Sequence, residues 1–117
     1  MVSKIALHDV RPSVANFARW MEKVLREHDE KRGWDGWKVT NRDDLPQMMT
    51  FLIRRAHEEL EEVEETLFDP KIEVFDYFEE DAESVMRECA DVGNIMMMVF
   101  DNVFADYLVK RAKEMEG

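Results

Sequence analysis

Glu88 and Asp91 stand three residues apart, just ahead of Ile95-Met96-Met97-Met98-Val99-Phe100, the longest apolar run in the chain. A helix through this region is apolar nearly all the way round at the run, which implies cover from more than one side. Its main stripe reads Ala82, Val85, Met86, Cys89, Gly93, Met96, Phe100, Val103 and Tyr107, with Glu88 on one flank and Asp91 further round. Acids one turn before such a segment are poorly explained as a solvated face. Their place just before that segment points to the mouth of a helical bundle or its inside.

A matching acidic group lies earlier, in His57-Glu58-Glu59-Leu60-Glu61-Glu62-Val63. The helix that carries it is predicted from about Pro46 to about Leu67, with Met49, Leu52, Ile53, Ala56, Leu60, Val63 and Leu67 as its apolar stripe. At 100° per residue Glu59 falls at the border of that stripe and Glu62 further round on the same side. Glu58, Glu61 and Glu65 point outward. Side chains three apart on a helix are neighbours, so Glu59/Glu62 and Glu88/Asp91 form two carboxylate pairs. If the two helices face one another, the four acids converge. Such a cluster is unfavourable without cations, and with Mg²⁺ it becomes a hard-oxygen site.

The remaining pattern is helical too. Pro12 suits a first helical turn. Phe17, Trp20, Met21, Val24 and Leu25 then recur at helical spacing, giving a first helix from about Pro12 to about Lys31 that stops at Gly33. A loop containing Trp34 and Trp37 follows, and Asp44 is expected to cap the second helix. Phe68-Asp69-Pro70 ends that helix, Lys71 to Phe78 reads as a short connector helix or turn, and the last helix runs from about Glu79 to about Lys113. The expected fold is all-α: one domain over residues 1–117, with three main helices plus the connector, completed by dimerisation. Phe100, Phe104 and Tyr107 are expected in the dimer interface. Gly93 inside a helix costs about 1 kcal/mol relative to Ala, which points to a close helix approach.

Composition narrows the function classes. A net charge of −11 argues against nucleic-acid binding, which relies on Lys and Arg against phosphates. A small anionic substrate is compatible with that charge if metal ions screen the site. The single cysteine, Cys89, forms no intramolecular disulfide, faces the apolar stripe, and fits a reducing compartment. No apolar leader is visible and the longest apolar run is too short to span a bilayer, so the expectation is a cytoplasmic protein without a membrane partner. Zinc is disfavoured because His8, His28 and His57 are scattered and no CxxC exists. Gly-rich phosphate loops and nucleophile elbows are absent from the sequence.

The segments Glu58-Glu59-Leu60-Glu61-Glu62 and Glu88-Cys89-Ala90-Asp91 resemble the EExxE…ExxD pattern of the MazG-like, all-α nucleotide pyrophosphohydrolases. The continuation Asp91-Val92-Gly93-Asn94 followed by apolar residues is similar to a phage and bacterial branch of that family. So are Asp101-Asn102 and the first helix leading into Lys31-Arg32-Gly33-Trp34. The resemblance covers most of the chain, from about Phe17 to about Val103. It departs at Glu61, where Gly is frequent, and at Gly93, where Ala is usual.

The resemblance implies a homodimer or dimer of dimers that hydrolyses nucleoside triphosphates to the monophosphate and pyrophosphate. It makes Glu59, Glu62, Glu88 and Asp91 the catalytic ligands of Mg²⁺, with Mn²⁺ as a substitute. Glu58 matches the first Glu of the motif but points away. Lys31, Trp34 and Asn94 are the implied substrate contacts. Lys31 or Arg55 could offset charge on the leaving pyrophosphate, and Trp34 or Trp37 could stack on the base. The alternative is a non-catalytic acidic helical module or an inactive member of the family, which needs no metal.

Overall fold

The computed structural model describes residues 6–32, 37–68 and 79–116. Its three helices are α1 (Pro12–Arg32), α2 (Leu45–Leu67) and α3 (Glu79–Glu116), with no strand among the described residues. The all-α expectation and the helix limits therefore agree with the structure to within a few residues. The connector read at 71–78 and the tryptophan at 34 lie outside the described residues.

α3 has 38 residues and a length of roughly 57 Å at 1.5 Å per residue. It packs against both α1 and α2, whereas α1 and α2 make no backbone approach to each other. The molecule is accordingly long, 61 × 35 × 26 Å, with a radius of gyration of 17.5 Å where about 13 Å is usual for a chain of this length.

Val24 of α1, Leu52 and Val63 of α2, and Ala90 and Ile95 of α3 form the buried apolar centre. At Gly93, α1 crosses closely. A Cβ built there would lie 2.6 Å from the tip of the Phe17 ring and 3.3 Å from the Met21 sulfur. The glycine thus offsets its low helix propensity by admitting α1. Arg87 of α3 also pairs with Glu27 of α1.

The faces differ from those the apolar stripes predict. On α2 the buried side is rotated toward Glu59: Leu52, Glu59 and Val63 are buried, while Ile53 and Leu60 are exposed. Glu59 therefore sits near the centre of the interface and not at its border. On α3 the buried side runs through Ala90, Asn94, Ile95 and Asn102, while Met86, Met96, Phe100, Val103 and Tyr107 of the predicted stripe are exposed. Hydropathy marks surface that needs cover but does not say which surface covers it.

The start of α2 also differs. Asp44 occupies the N-cap position but has helical backbone angles and makes no side-chain cap bond. A 3₁₀ turn, Arg42–Asp44, precedes it, and Asn41 caps that turn by accepting from the Asp43 N–H at 3.1 Å. The capping role has moved back by three residues.

The loop before that turn is held to α3 by polar groups. Asn102 donates to the Trp37 carbonyl at 3.1 Å and accepts from the Val39 N–H at 3.3 Å. The Trp37 indole N–H donates to Asp101 at 3.2 Å, and Arg42 lies 3.4 Å from Asp106. By length and composition Ala82–Glu116 is apolar enough to cross a membrane. Within that span, however, Asp101, Asn102 and Asp106 are engaged by the protein's own loop.

Candidate metal and substrate site

A cleft of about 380 Å³ opens between α1 and α2, with α3 as its floor. The sequence explains its two characters. Its polar lining is Glu59 and Arg55 from α2, Asp91 and Asn94 from α3, and His28 and Asp29 from α1. Its apolar lining is Leu25 from α1, Trp37 from the loop, Met48, Phe51 and Leu52 from the first turns of α2, and Ile95 and Met98 from α3. A second cavity of about 370 Å³, lined by Lys38, Thr40 and Gln47 among others, shares Met48 and Phe51 with the first.

The four predicted ligands do not lie equally close together. Glu59 is buried at 7% exposure. Burial pushes its carboxyl above the ordinary carboxylate range, and the negative charges of Glu62 and Asp91 push the same way, with Arg55 in part opposing them. Asp91 is half-buried and is also raised, by burial first, against the pull of His28 and Arg87 and with Glu62 adding to the rise. Glu59, Glu62 and Asp91 thus feel one another across the α2–α3 interface. Glu62 itself is exposed. Glu88 lies about one helical turn before Asp91 on α3 and faces Thr66 of α2, 3.1 Å from its hydroxyl.

Three of the four carboxylates, Glu59, Asp91 and Glu88, also have partners outside the cluster. Arg55 donates to Glu59 at 2.7 Å and to Glu58 at 2.5 Å, His28 lies 3.7 Å from Asp91, and Thr66 and Ser84 approach Glu88. Among the described residues, no three Asp, Glu, His or Cys side chains converge closely enough, as they stand, to enclose one ion.

The donor set nevertheless fits a hard divalent cation. All four groups are carboxylates, the kind of oxygen that Mg²⁺ takes. Two of them are held in surroundings that disfavour their charge. A third, Glu88, has an oxygen, Oε2, that is buried and has no hydrogen-bond partner. An unpaired buried carboxylate oxygen is costly, and a cation would satisfy it.

Among the implied substrate contacts, Asn94 lines the cleft at 3% exposure. Its amide donates to the Met21 carbonyl of α1 at 3.0 Å, while its Oδ1 is buried without a partner. Asn94 therefore joins α1 to α3 besides lining the cleft. The Lys31 side chain and Trp34 lie outside the described residues. Trp37 lines the cleft with its indole N–H fixed by Asp101.

His28 and Thr66 are the site residues that sequence reasoning missed. His28 stands four after Val24, on the same face of α1, where it lines the cleft with an exposed side chain. Thr66 stands four after Glu62 but carries no charge to draw notice. Comparisons of the chain with family models, with curated proteins and with solved structures gave no match.

Proposed function

We propose that this chain is a MazG-like, Mg²⁺-dependent nucleoside triphosphate pyrophosphohydrolase. It converts a (deoxy)nucleoside triphosphate and water to the monophosphate and pyrophosphate, and acts in the cytoplasm as a homodimer or dimer of dimers. The observation that carries this reading is the pair of motifs, EExxE on α2 and ExxD on α3. Their inward members, Glu59 and Asp91, line one cleft under unfavourable charge.

Glu59, Glu62, Glu88 and Asp91 would hold the metal. A bound Mg²⁺ supplies positive charge at the triphosphate oxygens and lowers the pKa of an attacking water. The water oxygen bonds to the α-phosphorus, the bond from that phosphorus to the bridging oxygen breaks, and pyrophosphate leaves. A carboxylate of the cluster takes the proton. Arg55, the cation of the cleft wall, stabilises charge on the leaving group once it turns from Glu58 and Glu59. Trp37, Met48, Phe51 and Met98 offer the base an apolar, polarizable wall.

The test is pyrophosphate release across a panel of nucleoside triphosphates. Glu59→Gln and Asp91→Asn should each lower Mg²⁺-dependent turnover by more than the roughly 10–100-fold typical of outer-shell changes, with far-UV CD intact. Unchanged turnover in both variants overturns the assignment. The exposed apolar side of α3 favours a second reading, a non-catalytic helical interaction module. That reading requires no saturable Mg²⁺ or Mn²⁺ binding in calorimetry.

A further inference from the structure

We propose that Thr66 is the positioning residue for Glu88, holding Oε1 so that Oε2 is left free for the cation. The inference rests on the metal-dependent reading above. The Thr66 hydroxyl lies 3.1 Å from Glu88 Oε1 and 3.0 Å from the carbonyl oxygen of Glu62. One hydroxyl proton cannot serve both acceptors fully. The Glu62 carbonyl sits within α2, where the helix supplies an N–H four residues on. The carboxylate is also the stronger acceptor, because it is charged. The proton therefore goes to Glu88.

Ser84 adds a weaker approach to the same oxygen, at 3.5 Å. Both hydroxyls thus lie on Oε1, and Oε2 is buried with no partner. A carboxylate held by one oxygen presents the other in a fixed direction. Metal-ligating carboxylates are commonly oriented in this way by outer-shell hydrogen bonds, and loss of such a partner typically costs about 10–100-fold in metal affinity. Through the Glu62 carbonyl, the same threonine also touches the backbone of a second proposed ligand.

The experiment is calorimetric Mg²⁺ titration of the full chain, paired with thermal unfolding without metal. Thr66→Val keeps the shape and removes the donor, Thr66→Ser keeps the donor, and Glu88→Gln reports whether Glu88 is a ligand at all. The expected result is about a tenfold or greater loss of Mg²⁺ affinity in Thr66→Val, recovery to near wild-type affinity in Thr66→Ser, and loss of binding in Glu88→Gln. Wild-type affinity in Thr66→Val alongside lost binding in Glu88→Gln overturns the role of Thr66 alone. So does a lower unfolding temperature in Thr66→Val with unchanged Mg²⁺ affinity, which marks a purely structural tie between α2 and α3. Absence of saturable Mg²⁺ binding in the wild type overturns the metal reading itself, and the role of Thr66 with it.

Discussion

The two sides of α3 differ from those of an ordinary amphipathic helix. The side turned to the rest of the chain carries Asp91, Asn94, Asp101, Asn102 and Asp106 beside the buried Ala90 and Ile95. The opposite side shows water Met96, Phe100, Val103, Phe104 and Tyr107, with Phe100 65% exposed. Phe100 and Phe104 stack at 5.6 Å between ring centroids, and Tyr107 continues the row at 6.5 Å. On the inner side, polar groups meet specific partners: a loop backbone, a histidine, a threonine. The outer side has the character of a core lacking its other half.

The largest effect should come from breaking the inner side. Asn102→Ala leaves the Trp37 carbonyl and the Val39 N–H without their partner in a part-buried setting. It should cost roughly 2–4 kcal/mol, read as a lower urea midpoint. A loss below about 0.5 kcal/mol would mean that the clasp is decorative.

Breaking the outer side should change assembly more than folding of the protomer. Phe100→Asp combined with Phe104→Asp should convert a dimer or larger assembly to monomer in size-exclusion chromatography with light scattering, leaving helical content intact. A monomeric wild type would remove the outer side as an interface between copies.

The third prediction concerns charge on the inner side and has the smallest effect. Glu59 and Asp91 have carboxyls raised above their unfolded values, chiefly by burial. The folded state therefore holds more protons between the two values. The stability these groups contribute is fully present below the unfolded carboxylate range, near pH 4, and is lost as pH rises through the folded values. Metal-free protein should lose stability across that window, and Glu59→Gln should flatten the loss. At pH 7 the same variant should unfold at a higher temperature than wild type without metal and gain less from added Mg²⁺. A lower unfolding temperature would show that the Arg55 pairing outweighs the crowding of carboxylates.

The sequence announced the helices well because their ends carry strong chemical marks: Pro12 and Pro46 near two starts, Gly33 and Asp69-Pro70 past two ends. It also announced the two acidic pairs and the turning of Glu59 toward the bundle. The rotation of α2 and α3 was hidden. Both helices carry more apolar residues than one chain can cover, so an average over hydropathy points between the covered and uncovered faces. Ile53, Leu60, Met96 and Phe100 pulled the expected faces away from Glu59 and Asn94. The Asn102 clasp was hidden for another reason. Its partners are backbone groups 63 and 65 residues away in the chain, and no local pattern encodes such a bond. The cap at Asn41 escaped because a 3₁₀ turn ahead of α2 made Asp44 part of the helical backbone.

The length of α3 has a consequence for how the protein opens. Hydrogen bonds near Ala90 and Ile95 are enclosed by α1 and α2, whereas those beyond Tyr107 run along a stretch that is exposed residue after residue. One continuous rod thus spans the range from global to local protection against amide exchange. Its central turns should exchange only when the domain unfolds, and its last turns should exchange by fraying. An assembled partner lying along Phe100 and Tyr107 would move that boundary toward the C-terminus, so the exchange profile of a single helix would record whether the outer side is covered.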